Sequence, residues 1–179
     1  MSNTHALTRQ QLITLVVLTL VWGMNWPILK IGVTGYPPIT FRSISMWIGW
    51  PLLGLVLLKM KVSFQVPRAQ WKDLLLLACS NMFVWHVLII LAVQDLSSGR
   101  AAILGYTMPI FSAVIGVLLY NSPLRPRAWL GVAFAAFAAL LLLWHELTNL
   151  YGKPLGVVMA LVAAAFWALG TQQIRHTRM

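Results

Sequence analysis

The 179-residue chain is 60% hydrophobic and only 9% charged, against roughly 45–50% and 25% in an ordinary water-soluble domain. Its +10 net charge is strung between apolar runs rather than massed in one patch, which argues against a nucleic-acid partner and for membrane topology. The composition is that of an all-α, polytopic membrane helix bundle whose first partner is the lipid bilayer.

The polar start, residues 1–11, holds Arg9 and no acidic residue and reads as a cytoplasmic N-terminus. The first span, Leu12 to Lys30, carries no charge before Lys30 and is long enough at about 1.5 Å per residue to cross a ~30 Å hydrocarbon core. It exceeds the ~7–15-residue apolar region of a signal peptide and lacks a small-x-small cleavage site, so it is expected to be retained. Gly32 to Pro38, with two glycines and two prolines, is predicted to end this helix and start the next. The second span covers Ile39 to Leu58, with Arg42 near its start and Pro51 in its middle. After Lys59, Lys61, Arg68 and Lys72 comes the third span, Asp73 to Val93. It holds the lone Cys79, which makes no internal disulfide or metal cluster and is expected as a small buried hydrophobe. Asp95 to Arg100 turns into the fourth span, Ala101 to Tyr120. Arg125 and Arg127 precede the fifth, Ala128 to Trp144, and Glu146 to Lys153 leads into the sixth, Pro154 to Ile174. With the N-terminus inside, nine basic residues fall on the cytoplasmic side (Arg9, Lys59, Lys61, Arg68, Lys72, Arg125, Arg127, Arg175, Arg178) and four outside (Lys30, Arg42, Arg100, Lys153). The positive-inside rule therefore places both termini in the cytoplasm. Small residues recur every fourth position at Ala101 and Gly105, at Ser112 and Gly116, at Gly131, Ala135 and Ala139, and at Ala160, Ala164 and Ala168, predicting close helix packing on those faces.

Polar and aromatic residues at membrane depth are the candidates for solute contact. Trp22 and Trp26 lie four apart on one face with Asn25 beside them, and Pro27 weakens the ladder to the carbonyl of Gly23. These residues either wall a substrate cavity or pack against a neighbour with Asn25 bonded across. In the fourth span Pro109 frees the carbonyl of Gly105, with Thr107 and Ser112 able to bond locally, giving a kink that lines a cavity or merely shapes packing. Asn81, Trp85 and His86 bring a titratable ring near mid-membrane, either coupled to protons or held neutral by hydrogen bonding. Arg42 either holds a substrate carboxylate through its planar fork or snorkels to headgroups. No serine–histidine–acid set, metal-ligand spacing or phosphate-cradling loop is present, so neither an enzyme nor a cofactor is expected. Leu155 to Arg175 echoes the first span. With Trp22 set on Trp167, Lys30 falls on Arg175 and Asn25 on Gly170, suggesting the opening of a second repeat.

The run WGMNWPILKIG (Trp22 to Gly32), FRS (Phe41 to Ser43), the passage from Ala92 through SSGRAAILGYTMPIFSAV, and WLGVAFAAFAALLLL (Trp129 to Leu143) resemble the EamA-type family of the drug/metabolite transporter superfamily. The resemblance implies ten helices in two inverted five-helix repeats, both termini cytoplasmic in the cell membrane, exporting amino acids, metabolites or drugs from a central cavity. It assigns residues 12–146 to a first five-helix unit and 154–175 to the first helix of a second, truncated one, followed by a cytoplasmic tail at 176–179. The family's glutamate after the fourth span is replaced here by Asn121 and Ser122. Some four helices short of the implied fold, the chain is expected to be a truncated or split small-molecule exporter, working with a second chain or as a homo-oligomer. The alternative is a membrane protein with no transport activity, a remnant or an assembly subunit.

Overall fold

The computed structural model describes residues 7–148 and 154–177, and among them the regular structure is entirely helical. In chain order the helices are α1 (Arg9–Gly35), α2 (Pro38–Lys59), α3 (Arg68–Asp95), α4 (Ser98–Tyr120), α5 (Pro126–Thr148) and α6 (Pro154–His176). All but α5 are long and apolar enough to cross a membrane, and α5 is apolar over Pro126–Leu141. The expected polytopic bundle is therefore the observed architecture. The first six residues, the approach to α6 at 149–153 and the last two residues of the tail lie outside the described residues, as do the side chains of His145 and Glu146.

Local chemistry sets the helix ends. Thr8 and Gln11 form a reciprocal cap: the Thr8 amide donates to Gln11 Oε1 at 2.9 Å and the Gln11 amide to Thr8 Oγ1 at 3.3 Å, which starts α1 at Arg9. α1 then runs past Lys30 and through Gly32 to Gly35, so it ends, and α2 begins, within the predicted Gly32 to Pro38 segment, with Gly32 itself still helical. Gly32 serves packing instead. The Phe41 ring of α2 lies where a Cβ on Gly32 would sit, and only glycine admits that approach. Pro38 opens α2 at a position where a missing amide costs nothing.

Two helices are irregular. α3 passes from ordinary α-helix through a π-helical stretch, Ala78–Val84, and back to α at Trp85–Asp95. α4 is broken into Ser98–Gly105 and Met108–Tyr120. Pro109, at the start of the second piece, has no amide to offer the Gly105 carbonyl, and Thr107 Oγ1 donates back to the Leu104 carbonyl at 2.6 Å. The expected kink thus falls at Tyr106 and Thr107.

α6 packs along α3 and α4 and leaves its other face open at Leu155, Val158, Val162 and Phe166. α1 lies against α3 and α4, α2 against α3 and α1, and α5 against α4. In lipid, apolar burial supplies little drive for helix association, so close approach of small residues carries it. Ala101, Ala160, Ala163 and Ala164 are fully buried around Ile89, Ile90, Val93 and Leu104, and Gly105, Gly116 and Ala168 are buried with them. The predicted stripe on α5 is corrected. Gly131 and Ala135 are exposed, and nothing stands within 4 Å of a Cβ built at Gly131, because among the described residues α5 packs chiefly on α4 and turns this face outward. Cys79 is likewise exposed where a buried thiol was expected. The π winding directs Ser80 and Asn81 inward and leaves Cys79 on the outer face.

Candidate functional site

α1, α2, α3 and α6 enclose a cleft of about 290 Å³. α1 contributes Trp22, Asn25 and Trp26, whose three- and four-residue spacing puts them on one side of the helix. α2 supplies Arg42, α3 supplies Trp85 and His86, and α6 supplies Trp167. The walls are fixed by ring packing. Trp85 and Trp167 meet at 5.1 Å between ring centroids with planes tilted by 56°, and Trp26 stands edge-on to Tyr106 at 6.1 Å. Trp26 is seated by Gly105, where a Cβ would lie 2.7 Å from its Cη2 atom, so any side chain there displaces the indole.

Polar groups inside this aromatic shell are left open. Trp26 Nε1, Arg42 Nε and His86 Nδ1 are buried and have no hydrogen-bond partner, and all three residues line the same cleft. Buried polar atoms in folded proteins are nearly always paired, so three unpaired ones on residues that line a single cleft mark it out. Asn25 also faces the cleft and is exposed there.

The remaining sequence candidates lie elsewhere. Asn81 is buried and donates through Nδ2 to the Trp167 carbonyl at 3.3 Å. Its side chain fills the space above Gly170, so it joins α3 to α6 and holds the backbone from which Trp167 projects. Thr107 is buried and bonded within its own helix. Pro109 lines a second cleft of about 670 Å³ between α4 and α6, together with Ser112, Thr171, Gln172 and Arg175.

Trp167 was legible only through the echo that set it on Trp22; it lines both clefts, and Trp22 lines the smaller one with it. α6 also brings polar contacts that pattern reading passed over. Gln172 Nε2 donates to the Ser112 carbonyl at 2.7 Å and lies 2.9 Å from Ser112 Oγ, and Gln173 Nε2 donates to the Asp73 carbonyl at 2.9 Å. His176, terminal in sequence, stacks on Tyr120 at 4.4 Å and reaches Ser122 Oγ at 3.0 Å. The position following α4, where Asn121 adopts a left-handed backbone (φ 46°), is thereby tied to the end of α6. At the other end Lys30 Nζ donates to the Val93 and Gln94 carbonyls at 3.0 and 2.9 Å, neutralising the exposed carbonyl end of α3.

Among the described residues no three His, Cys, Asp or Glu side chains come together as a metal site. The chemistry at the cleft is that of a guanidinium, an imidazole, an amide and indole faces.

Comparison with known proteins matches residues 10–144 to the EamA-like transporter family. Similar curated proteins include the uncharacterized transporter YoaV of Bacillus subtilis, 26% identical over 87% of this chain and 53% of its own length. The uncharacterized inner membrane transporter YedA of Escherichia coli K12 is 29% identical over 88% of this chain and 50% of its own. A protein of the same strain named "Probable amino-acid metabolite efflux pump" is 22% identical over 92% and 53%. The chain spans about half the length of the curated relatives it matches. No solved structure gives a significant match.

Proposed function

Because the chain belongs to the EamA-like transporter family, we propose that it forms one wall of a multi-pass carrier exporting small solutes, such as amino acids, metabolites or drugs, across the cell membrane. Both termini face the cytoplasm in this reading. The observation that carries it is the gathering of Trp22, Asn25, Trp26, Arg42, Trp85 and His86 from three helices into one cleft. Polar side chains at membrane depth are tolerated where they line a cavity and mark solute pathways. Trp167 supports the same reading. Its indole borders both this cleft and the larger one between α4 and α6, the place a barrier takes in an alternating-access carrier.

The test is retention of radiolabelled amino acids by cells expressing the chain. Expression is expected to lower retention, and Asn25→Ala is expected to restore it while the variant still reaches the membrane at the same level. Unchanged retention with normal insertion would count against an exporter and favour a membrane protein without transport activity.

A further inference from the structure

Resting on the reading of the α1–α2–α3–α6 cleft as a solute wall, we infer that this wall recognises a carboxylate. Arg42, His86 and Trp26 receive the anionic end of a small organic acid, and the tryptophans hold its apolar body. The groups present dictate the choice. Trp26 Nε1 and Arg42 Nε carry N–H bonds in every protonation state, and His86 Nδ1 carries one in the protonated ring or in one neutral tautomer. All three are buried without a partner, and a carboxylate, with two oxygens and about four lone-pair positions, is a small group with acceptor positions enough for all of them.

The charge around the cleft points the same way. None of its lining residues is acidic. Asp73 and Asp95 stand at the two ends of α3, so nothing among the lining groups neutralises Arg42, and the Asn25 amide oxygen is the one neutral side-chain carbonyl there for an ammonium. A cationic solute would face a guanidinium in a low-dielectric space, and an amide would leave part of its surroundings unpaired. Apart from the Asn25 amide, the rest of the lining, with Trp22, Trp85, Trp167, Leu29 and Ile89, is apolar, which suits a flat or aliphatic body. The cleft is therefore selective for acids over their amides and amines.

An anionic lipid phosphate presents the same oxygens to Arg42, and the experiment separates the two sources. The purified full chain in neutral detergent is dialysed to equilibrium against labelled phenylacetate, with phenylacetamide, phenethylamine and phosphatidylglycerol as separate competitors. Saturable binding of phenylacetate is expected, with neither the amide nor the amine competing at tenfold excess. Arg42→Gln is expected to weaken binding by about tenfold or more, with Arg42→Lys intermediate because it keeps the charge and loses the fork. His86→Gln is the second variant, read if Arg42→Gln does not run as a single species, and is expected to weaken binding several-fold. Equal competition by the amide, absence of saturable binding, or unchanged affinity in well-folded variants would overturn the inference. Displacement of phenylacetate by phosphatidylglycerol at far lower concentration would also overturn it and give Arg42 to lipid headgroups. Acid-selective binding in a chain that exports nothing would leave this inference standing and remove the transport reading, whereas export without acid selectivity would do the reverse.

Discussion

Asn81 and Gly170 meet across α3 and α6 so tightly that a Cβ on Gly170 would overlap the amide. Gly170→Ala is therefore an overpacking change, expected to lower stability by about 1–3 kcal/mol. Asn81→Ala removes one interhelical hydrogen bond, which in membranes averages only about 0.6 kcal/mol. Since Asn81→Ala also clears the space the new methyl needs, the double variant is expected to be more stable than the two single losses predict, by about 0.5 kcal/mol or more. Unfolding of all four proteins in mixed micelles measures this, and strict additivity would refute the contact. The same pair shows where sequence reading stops at this scale. Trp22, Asn25 and Trp26 could be read as one face because α1 is regular helix there. Asn81 was read with Trp85 and His86, yet the π winding between them turns its amide onto α6 instead. Nothing in ACSNMFV announces that winding.

At the level of the element, the six spans were legible because each is a long apolar run closed by basic residues, prolines or glycines, and the break in α4 followed from the chemistry of Pro109. The packing of α6 on α3 and α4 was not. Periodicity finds small-residue stripes on α4, α5 and α6 alike, but only tertiary contact decides which are used, and α5 leaves its stripe open. The two halves of α4 bear on mechanism, because Gly105 in the first seats Trp26 while Pro109 in the second borders the larger cleft. Pro109→Ala restores an amide within reach of the Gly105 carbonyl and allows the helix to close across Tyr106 and Thr107. The variant is expected to match the parent or exceed it in thermal stability while exporting more slowly. Undiminished export would mean that the break shapes packing only.

For the molecule as a whole, orientation rests on the nine-to-four distribution of basic residues. A single reporter thiol, Ser63→Cys in a Cys79→Ser background, sits on the exposed segment between α2 and α3. It is expected to resist a membrane-impermeant maleimide in intact cells and to react after permeabilisation, and labelling in intact cells would invert the topology. The packing of α6 on α3 and α4 has a consequence in time as well as in space. Ribosomes add about 5–20 residues per second and domains fold as they emerge. Roughly 55 residues separate the end of α4 from the end of α6, so α3 and α4 stand in the bilayer for several seconds before their inward partner is made. Through that interval the Asn81 amide and the Ser112 hydroxyl lack the carbonyl and the glutamine that later engage them. Until α6 arrives, the newborn helices carry these unpaired groups in the bilayer, open to membrane quality control.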